Sequence, residues 1–516
     1  MTRTVWWLLL AASAGCGVES PVDVVKTANI GAPDSPVTGT PRTWRAIATA
    51  APFSPAGMAM MQDGAVMMQD LETSHWWKLA PDDFGQYDNG TFTQLGDMPS
   101  GYAPLWFASA TLPDGKFIVE GGEYNGGGPG VWTTQGAIYD PIANSWQAVS
   151  PPTSWTTIGD ASGIVRPDGT FMLSDCCSTN LAALDEQSLT WTPAGANKAD
   201  ENDEESWAEL ADGKIITADA DVNSPTSDEQ HSELYDPTTD SWSSAGMVPV
   251  ELSDIANATY EVGPEMFRPD GTVVAIGGTP HNAIYDSNAG TWSALQDTPG
   301  GLATIDGPGA TLPNGDVIFA TGPYDPNFDP PTHFFEISSA DNSFTEVGMT
   351  MNGANNATYQ NVVIILPTGE LLHTDFSSTV EIYTPEPGYD ARAVPIILDE
   401  PTLVGSGAEP PTAPVPTLYH GRSYTLPMQR MNGISLGAVY GDDAQTSTNY
   451  PLVRLTASTT NHVFYCRTHD PSNRSIDPTS TGTATFDIPD GIEGGLMQLS
   501  VIANGVPSAA LTVNVK

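Results

Sequence analysis

Positive charge is scarce in this 516-residue chain: 17 Lys and Arg stand against 62 Asp and Glu, for a formal net charge of −45. A surface of that sign repels phosphate backbones and anionic lipid, which excludes nucleic-acid binding. Cysteine is nearly absent, with four residues, so no dense disulfide framework holds the fold. Histidine is limited to eight residues, which caps the number of imidazole metal sites. No run approaches the ~20 apolar residues that a membrane-spanning helix needs. What the chain has instead is 50 Gly, 44 Pro, 13 Trp and 16 Tyr. With frequent Asp-Gly, Asn-Gly and Pro-Asp steps, that composition points to short strands joined by tight turns.

The chain begins MTRTVWWLLLAASAGCG, with Arg3 ahead of a short apolar run and small residues before Cys16, the pattern of an export signal over residues 1–16. Its Ser-Ala-Gly-Cys end resembles a bacterial lipobox, which implies lipidation of Cys16; cleavage after Ala14 is the alternative. Gly17 after the cysteine, by resemblance to diderm lipoproteins, permits transfer to the outer membrane. The expected location is therefore the outer membrane or cell surface, otherwise the periplasm or medium, with the lipid as the only membrane contact. Residues 17–41, rich in Pro, Thr, Ser, Val and Gly, read as a flexible tether.

A turn of one form recurs at Asp63-Gly64, Asp114-Gly115, Asp168-Gly169, Asp212-Gly213, Asp270-Gly271, Asn314-Gly315 and Thr368-Gly369, with a spacing of about 50 residues. An apolar strand follows each, then in the better copies Gly-Gly, an aliphatic-Tyr-Asp step and a tryptophan. The fullest copy carries Gly121, Gly122, Tyr139, Asp140 and Trp146. The Asp-Gly step is expected to supply the positive φ angles of a two-residue hairpin, and Tyr and Trp to fill the gap between neighbouring sheets. One four-stranded sheet cannot bury both faces, so such repeats must stack and close. The pattern resembles the kelch repeat, and implies an all-β fold with a seven-bladed kelch-type β-propeller over 42–394. The last copy lacks its own tryptophan, and the segment around Trp44 is expected to complete the blade that begins at Asn361. From 395 to 516 the pattern changes. Leu499, Val501 and Ala503 alternate, Asn504-Gly505 turns, and Leu511, Val513 and Val515 alternate, as in an immunoglobulin-like β-sandwich.

This layout resembles galactose oxidase and glyoxal oxidase along nearly the whole mature chain. In that family a copper is held by two tyrosines and two histidines, and one tyrosine is cross-linked to a cysteine. On matching positions this chain has Ser54 for the cysteine and Trp106 for the cross-linked tyrosine, with Tyr102 nearby. Tyr359 keeps the second tyrosine, while Gln360 replaces its histidine neighbour. The last histidine comes from a C-terminal loop that reaches into the channel, and LVRLTASTTNHVFY offers His462 there. Copper is accordingly not expected, and no other cofactor is required.

Other residues carry chemistry. Residues 461–474 gather His462, Cys466 and His469, donors that can bind zinc or copper but lack a fourth ligand nearby. Cys176 and Cys177 are adjacent; with Cys16 lipidated, either they pair with each other or one bridges to Cys466. ADENDEESW carries Glu204 and Glu205 as candidate acid/base residues in a run that otherwise reads as a solvated loop. Asp219, Asp221 and Asn223 have calcium-loop spacing, so calcium stays open. The expectation is an exported monomer binding a glycan or other surface polymer through Trp106, Gln360 and His469. The alternative is a hydrolase or lyase acting through Glu204, Glu205, His462 and Tyr359 at the channel mouth, and behind that a divergent oxidase.

Overall fold

The computed structural model describes residues 39–128, 130, 132–219, 230–254, 261–405, 415–440 and 446–516. Lipidation of Cys16 and the Asp221 and Asn223 positions lie outside the described residues. The described chain is all-β apart from two single-turn 3-10 segments, Pro299–Gly301 and Thr358–Gln360. No described helix is long and apolar enough to cross a membrane.

The repeated turns each close a hairpin, but not as a two-residue loop. At the first, the Met61 N–H donates to the Ala65 carbonyl at 2.8 Å and the Gly64 N–H to the Met61 carbonyl at 2.9 Å. Only the glycine takes a positive φ, 79° at Gly64 and 90° at Gly315. The aspartate keeps a negative φ because its carboxylate works locally: Asp63 Oδ1 accepts the Ala65 N–H at 3.1 Å. The result is a three-residue loop with a glycine bulge. Gly315→Ala puts a Cβ 3.3 Å from Pro269 at that φ. We expect it to cost about 1–2 kcal/mol, read as a lower urea midpoint.

Each turn joins an inner strand to the next strand out. The inner strands are Pro55–Met60, Ala108–Thr111, Gly163–Val165, Ala208–Glu209, Glu265–Phe267, Gly309–Thr311 and Val362–Ile365, each at one side of an antiparallel sheet of four strands except Gly309–Thr311, which a further strand flanks. They adjoin in series, and Val362–Ile365 returns against Pro55–Met60. Between the third and fourth sheets the Ser162 hydroxyl donates to the Glu205 carbonyl at 2.7 Å. The arrangement is propeller-like. Thr43–Ala46 pairs antiparallel with Val380–Thr384, Trp44 opposite Tyr383, and so supplies the outer strand of the last sheet. Arg45 fastens it through Asp88 at 2.6 Å and the buried Glu370 at 2.8 Å.

The Tyr and Trp of the repeat face each other across the two outer strands. Tyr139 pairs with Trp146, Tyr235 with Trp242 and Tyr285 with Trp292, with ring centroids 5.2–5.5 Å apart. These rings form the apolar filling between successive sheets, where they bury a large area per residue.

Residues beyond Ile396 form two further sheets around a core that includes Leu426, Leu455, Cys466, Phe486, Leu499 and Val513. One stretch leaves them. Ala438–Val439 runs antiparallel to Gly309–Ala310, on the free side of the sixth sheet's inner strand. Beneath it, Arg474 donates to the Thr111 carbonyl at 2.9 Å and to Asn449 Oδ1 at 3.2 Å, and its guanidinium lies 5.1 Å from the Tyr450 ring centroid. The Tyr450 hydroxyl reaches the Met60 carbonyl. The C-terminal residues thus plug one end of the axis between the inner strands of the first, second and fourth sheets. The opposite end is the mouth.

Candidate functional site

The mouth is lined by the residues that lead into the inner strands. Trp106 lies two residues before Ala108–Thr111 with φ 55°, and Asp306 lies three before Gly309–Thr311 with φ 50°. Glu204, ahead of Ala208–Glu209, has φ 54°. Non-glycine residues in the left-handed region cost about 1–3 kcal/mol each and persist only where the surroundings hold them. At Trp106 the reason is legible: the kink turns Leu105 and Trp106 into the axial cluster while Phe107 packs between the first and second sheets. A two-stranded ribbon, Pro104–Leu105 with Tyr124–Asn125, fixes the kink, and the Glu123 N–H donates to the Trp106 carbonyl at 3.0 Å.

Trp106 and Tyr440 form the floor. Their rings stack 5.3 Å apart at 28°, and both are buried. Tyr359 meets Trp106 edge-on at 6.2 Å, Phe376 lies 5.5 Å away, and Phe328 stands edge-on to Tyr359 at 6.0 Å. Tyr124, Tyr359, Phe328 and Phe376 are half-buried and form the accessible rim. The Tyr440 hydroxyl donates to the Tyr359 carbonyl at 2.7 Å and lies beside Asp306. Burial, with Glu261 and Glu123 close by, pushes the Asp306 carboxyl well above the usual carboxylate range, and burial also raises Glu123. Burial and Glu123 push the Tyr124 hydroxyl up to about 12. The site therefore combines aromatic faces with carboxyls whose hold on a proton is strengthened by burial.

Other sequence candidates lie elsewhere. Gln360 folds back on its own turn, its Oε1 accepting the Ala357 N–H at 2.9 Å. The loop offering His462 does not reach into the channel: it stands on a hairpin turn of the C-terminal sheets, its ring 5.6 Å from Phe84 and its Nδ1 3.6 Å from Glu493. The segment that does reach the mouth is Ala438–Tyr440, which precedes the LVRL strand rather than following it. His469 is held by Asp470 at 2.7 Å and Asp487 at 3.3 Å, and Cys466 points into the C-terminal core, so these three donors do not converge. Cys466 is far from bridging the Cys176–Cys177 pair, and all three thiols are free.

The acidic run is not a solvated loop. Asp200, Asp203 and Glu205 are buried. Lys198, itself fully buried, sets its ammonium 3.0 Å from Glu205 and 2.6 Å from Glu233, 4.0 Å from Asp219 and 5.2 Å from the Trp242 ring centroid. Asp219 also accepts from His231 at 2.6 Å. Glu204, at the lip, is half-buried.

All eight histidines are described, and none has a mouth residue as its partner. His75, His281 and His333 sit on surface carboxylates, His231 on Asp219, His373 on Asn361, His420 on the Ile492 carbonyl, and His462 and His469 in the C-terminal sheets. A cavity of about 120 Å³ lies at the other end of the first two sheets, between Gln62, Gly115 and Arg467, away from this chemistry.

No family model matches the chain, and no curated protein matches it. Among solved structures, a fungal alcohol oxidase of the AA5 family, in complex with copper, aligns with a TM-score of 0.52 at 13% identity over 92% of this chain and 99% of that one. A streptogramin B lyase aligns at 0.45 with 10% identity, over 66% of this chain and 96% of that one. A catalytically inactive virginiamycin B lyase from Staphylococcus aureus, with quinupristin, aligns at 0.44 with 8% identity over 66% and 97%. The fold is galactose-oxidase-like. At 13% identity the first likeness extends to the fold alone, and the lyases are too distant to bear on it.

Sequence reasoning missed Asp306, Glu123, Tyr124 and Tyr440. A signal for the first was present: Trp106 precedes Asp114 by eight residues, and Asp160, Glu204, Asp306 and Gln360 precede Asp168, Asp212, Asn314 and Thr368 by the same interval. That one repeat position places Trp106, Glu204 and Asp306 at the mouth, while the Gln360 side chain folds back on its own turn. Tyr440 carries no such mark, because it enters from outside the repeat.

Proposed function

We propose that this chain is an exported, lipid-anchored, monomeric seven-bladed kelch propeller with an immunoglobulin-like C-terminal domain, and that its mouth binds a glycan. The observation that carries the reading is the rim of Tyr124, Tyr359 and Phe328 on a Trp106–Tyr440 floor, with Asp306 and Glu123 alongside. The C–H faces of sugar rings pack on aromatic faces, and a carboxyl that keeps its proton both donates to and accepts from hydroxyls. A concave, largely apolar site with a few convergent polar groups is the usual form of a small-ligand site.

The donor set does not fit the copper centre of the galactose-oxidase family. Copper(II) takes nitrogen and oxygen donors in a tetragonal arrangement. Here Ser54 cannot form the thioether, Trp106 stands where the redox tyrosine belongs, the Gln360 amide oxygen is committed to Ala357, and no imidazole adjoins Tyr359. These residues support no redox step through copper.

The test is retention on a panel of immobilised polysaccharides. Wild type is expected to be retained by at least one, and Tyr359→Ala to lose about 1–3 kcal/mol of binding, a roughly 5- to 150-fold weaker Kd, at unchanged melting temperature. Equal retention of both proteins contradicts the reading. The raised carboxyls favour a second reading, in which Asp306 or Glu123 acts as a general acid on the bound glycan. Turnover of the retained polymer that disappears in Asp306→Asn while binding persists supports it; retention with no product in wild type rejects it.

A further inference from the structure

Between the third and fourth sheets, at the edge of the mouth, Cys176, Cys177 and Asp203 converge. The Cys176 and Cys177 sulfurs lie 3.7 Å and 3.5 Å from the same oxygen, Asp203 Oδ1, and the three ligand atoms all fall within 4.8 Å of one another. Adjacent side chains in extended backbone point to opposite sides, so this convergence needs an unusual conformation. Cys177 supplies it with φ 70°. The backbone on both sides is fastened: the Cys176 N–H donates to the Ile158 carbonyl at 3.0 Å, the Cys177 N–H to the Asn202 carbonyl at 2.9 Å, and Asn202 returns its own N–H to the Ser178 carbonyl at 2.8 Å. The two loops are thus pinned face to face before any ligand arrives.

A second observation points to a cation. Asp203 is buried, at 8% exposure, and no Lys, Arg or His pairs with it among the described residues; its hydrogen-bond partners are the two thiols. Thiols are weak donors, and buried carboxylates are as a rule paired or metal-bound. In the same run the buried Glu205 has Lys198, as does its neighbour Glu233, whereas Asp203 has only the two thiols among the described residues. The distances also match. With zinc–sulfur bonds of about 2.3 Å and zinc–oxygen bonds of about 2.1 Å, the sulfur–oxygen edge of a tetrahedron is about 3.6 Å.

We propose that Cys176, Cys177 and Asp203 form a binding site for one thiophilic divalent cation of the zinc class. Three protein ligands leave the fourth position to water or to a donor from a bound molecule. On binding, both thiols give up their protons to solvent and the cation compensates the two thiolates and the carboxylate. Cys466, buried in the C-terminal core, takes no part. The proposal is independent of whether the mouth holds a glycan.

Cobalt(II) serves as the probe, because thiolate coordination gives it an intense near-ultraviolet charge-transfer band and tetrahedral geometry a visible band. The full chain, reduced and kept anaerobic, is titrated with cobalt(II). The expected result is both bands saturating at one ion per chain, displacement by zinc(II), and release of close to two protons. Cys176→Ser/Cys177→Ser is expected to lose the bands and Asp203→Asn to weaken binding, while Cys466→Ser keeps them. Far-UV circular dichroism checks the fold of each variant; should the double variant misfold, Cys177→Ser alone decides. No thiolate band in the reduced wild type, or a band that survives loss of both Cys176 and Cys177, overturns the proposal. A Cys176–Cys177 disulfide that, once reduced, still yields no band overturns it equally.

Discussion

Lys198→Met is expected to lower stability by about 3–5 kcal/mol, the usual cost of removing one partner from a buried ionic cluster. The ammonium is fully buried and is the only Lys or Arg group touching Glu205, Glu233 and Asp219 among the described residues. Removing it leaves three carboxylates together in a medium of low dielectric, where each is strongly repelled by the others. Their escape is to take up protons, so the loss is expected to be larger at pH 8 than at pH 5. The same cluster holds the 198–205 segment against the fourth sheet, since the Ala199 N–H donates to Glu233 at 2.9 Å. Thermal melting of the variant at both pH values checks the claim. A melting temperature within a degree or two of wild type would show that the cluster is dispensable.

The second large effect is the pH dependence of the whole chain. Burial raises Glu209 to about 8, despite the nearby Arg474, and raises Glu120 and Glu265 well above the carboxylate range. A carboxyl raised in the folded state keeps a proton that the unfolded chain releases near pH 4.5. Its contribution is fully present below that pH and is lost as pH rises through the folded value, about 8 for Glu209. Raised His231 and His469, held by Asp219 and Asp487, have the same sign and lose their contribution above pH 6.5. His373 runs the other way. Buried and lowered to about 4, it stabilises above pH 6.5 and loses that contribution as pH falls towards 4. Stability is therefore expected to peak near pH 4.5, where the raised carboxyls contribute fully and together outweigh the single opposed His373, and to fall by several kcal/mol by pH 8.5, at about 1.4 kcal/mol per shifted unit. Glu209→Gln is expected to flatten the profile between pH 4.5 and 8. A melting temperature that is constant or rises from pH 5.5 to 8.5 contradicts the assignment.

The repeat was legible in the sequence because physical demands recur: a glycine with positive φ closes each hairpin, and in the better copies a Tyr–Trp pair fills the gap between sheets. The strand around Trp44 was legible for the same reason, as the apolar aromatic missing from the last copy. The axial site was legible only in part. Trp106 and Tyr359 came from repeat position and resemblance, whereas Tyr440 comes from a segment that leaves the C-terminal sheets, and alternation within LVRLTAS carries no trace of that departure. Lys198 was hidden for a different reason. A charge run with one lysine reads as solvated unless one knows that Glu233, in a later strand, lies 2.6 Å from it. His462 drew notice through the resemblance and His469 through residue type, and their local carboxylates account for both.

On the proposed reading the ligand sits on the aromatic rim of the mouth. The most direct measurement is a crystal structure of the chain soaked with an oligosaccharide of the polymer that retains it. The expected result is a sugar ring against Tyr359 or Tyr124 with a hydroxyl within hydrogen-bond distance of Asp306 or Glu123. A sugar bound on the C-terminal sheets, with the mouth empty, would contradict it.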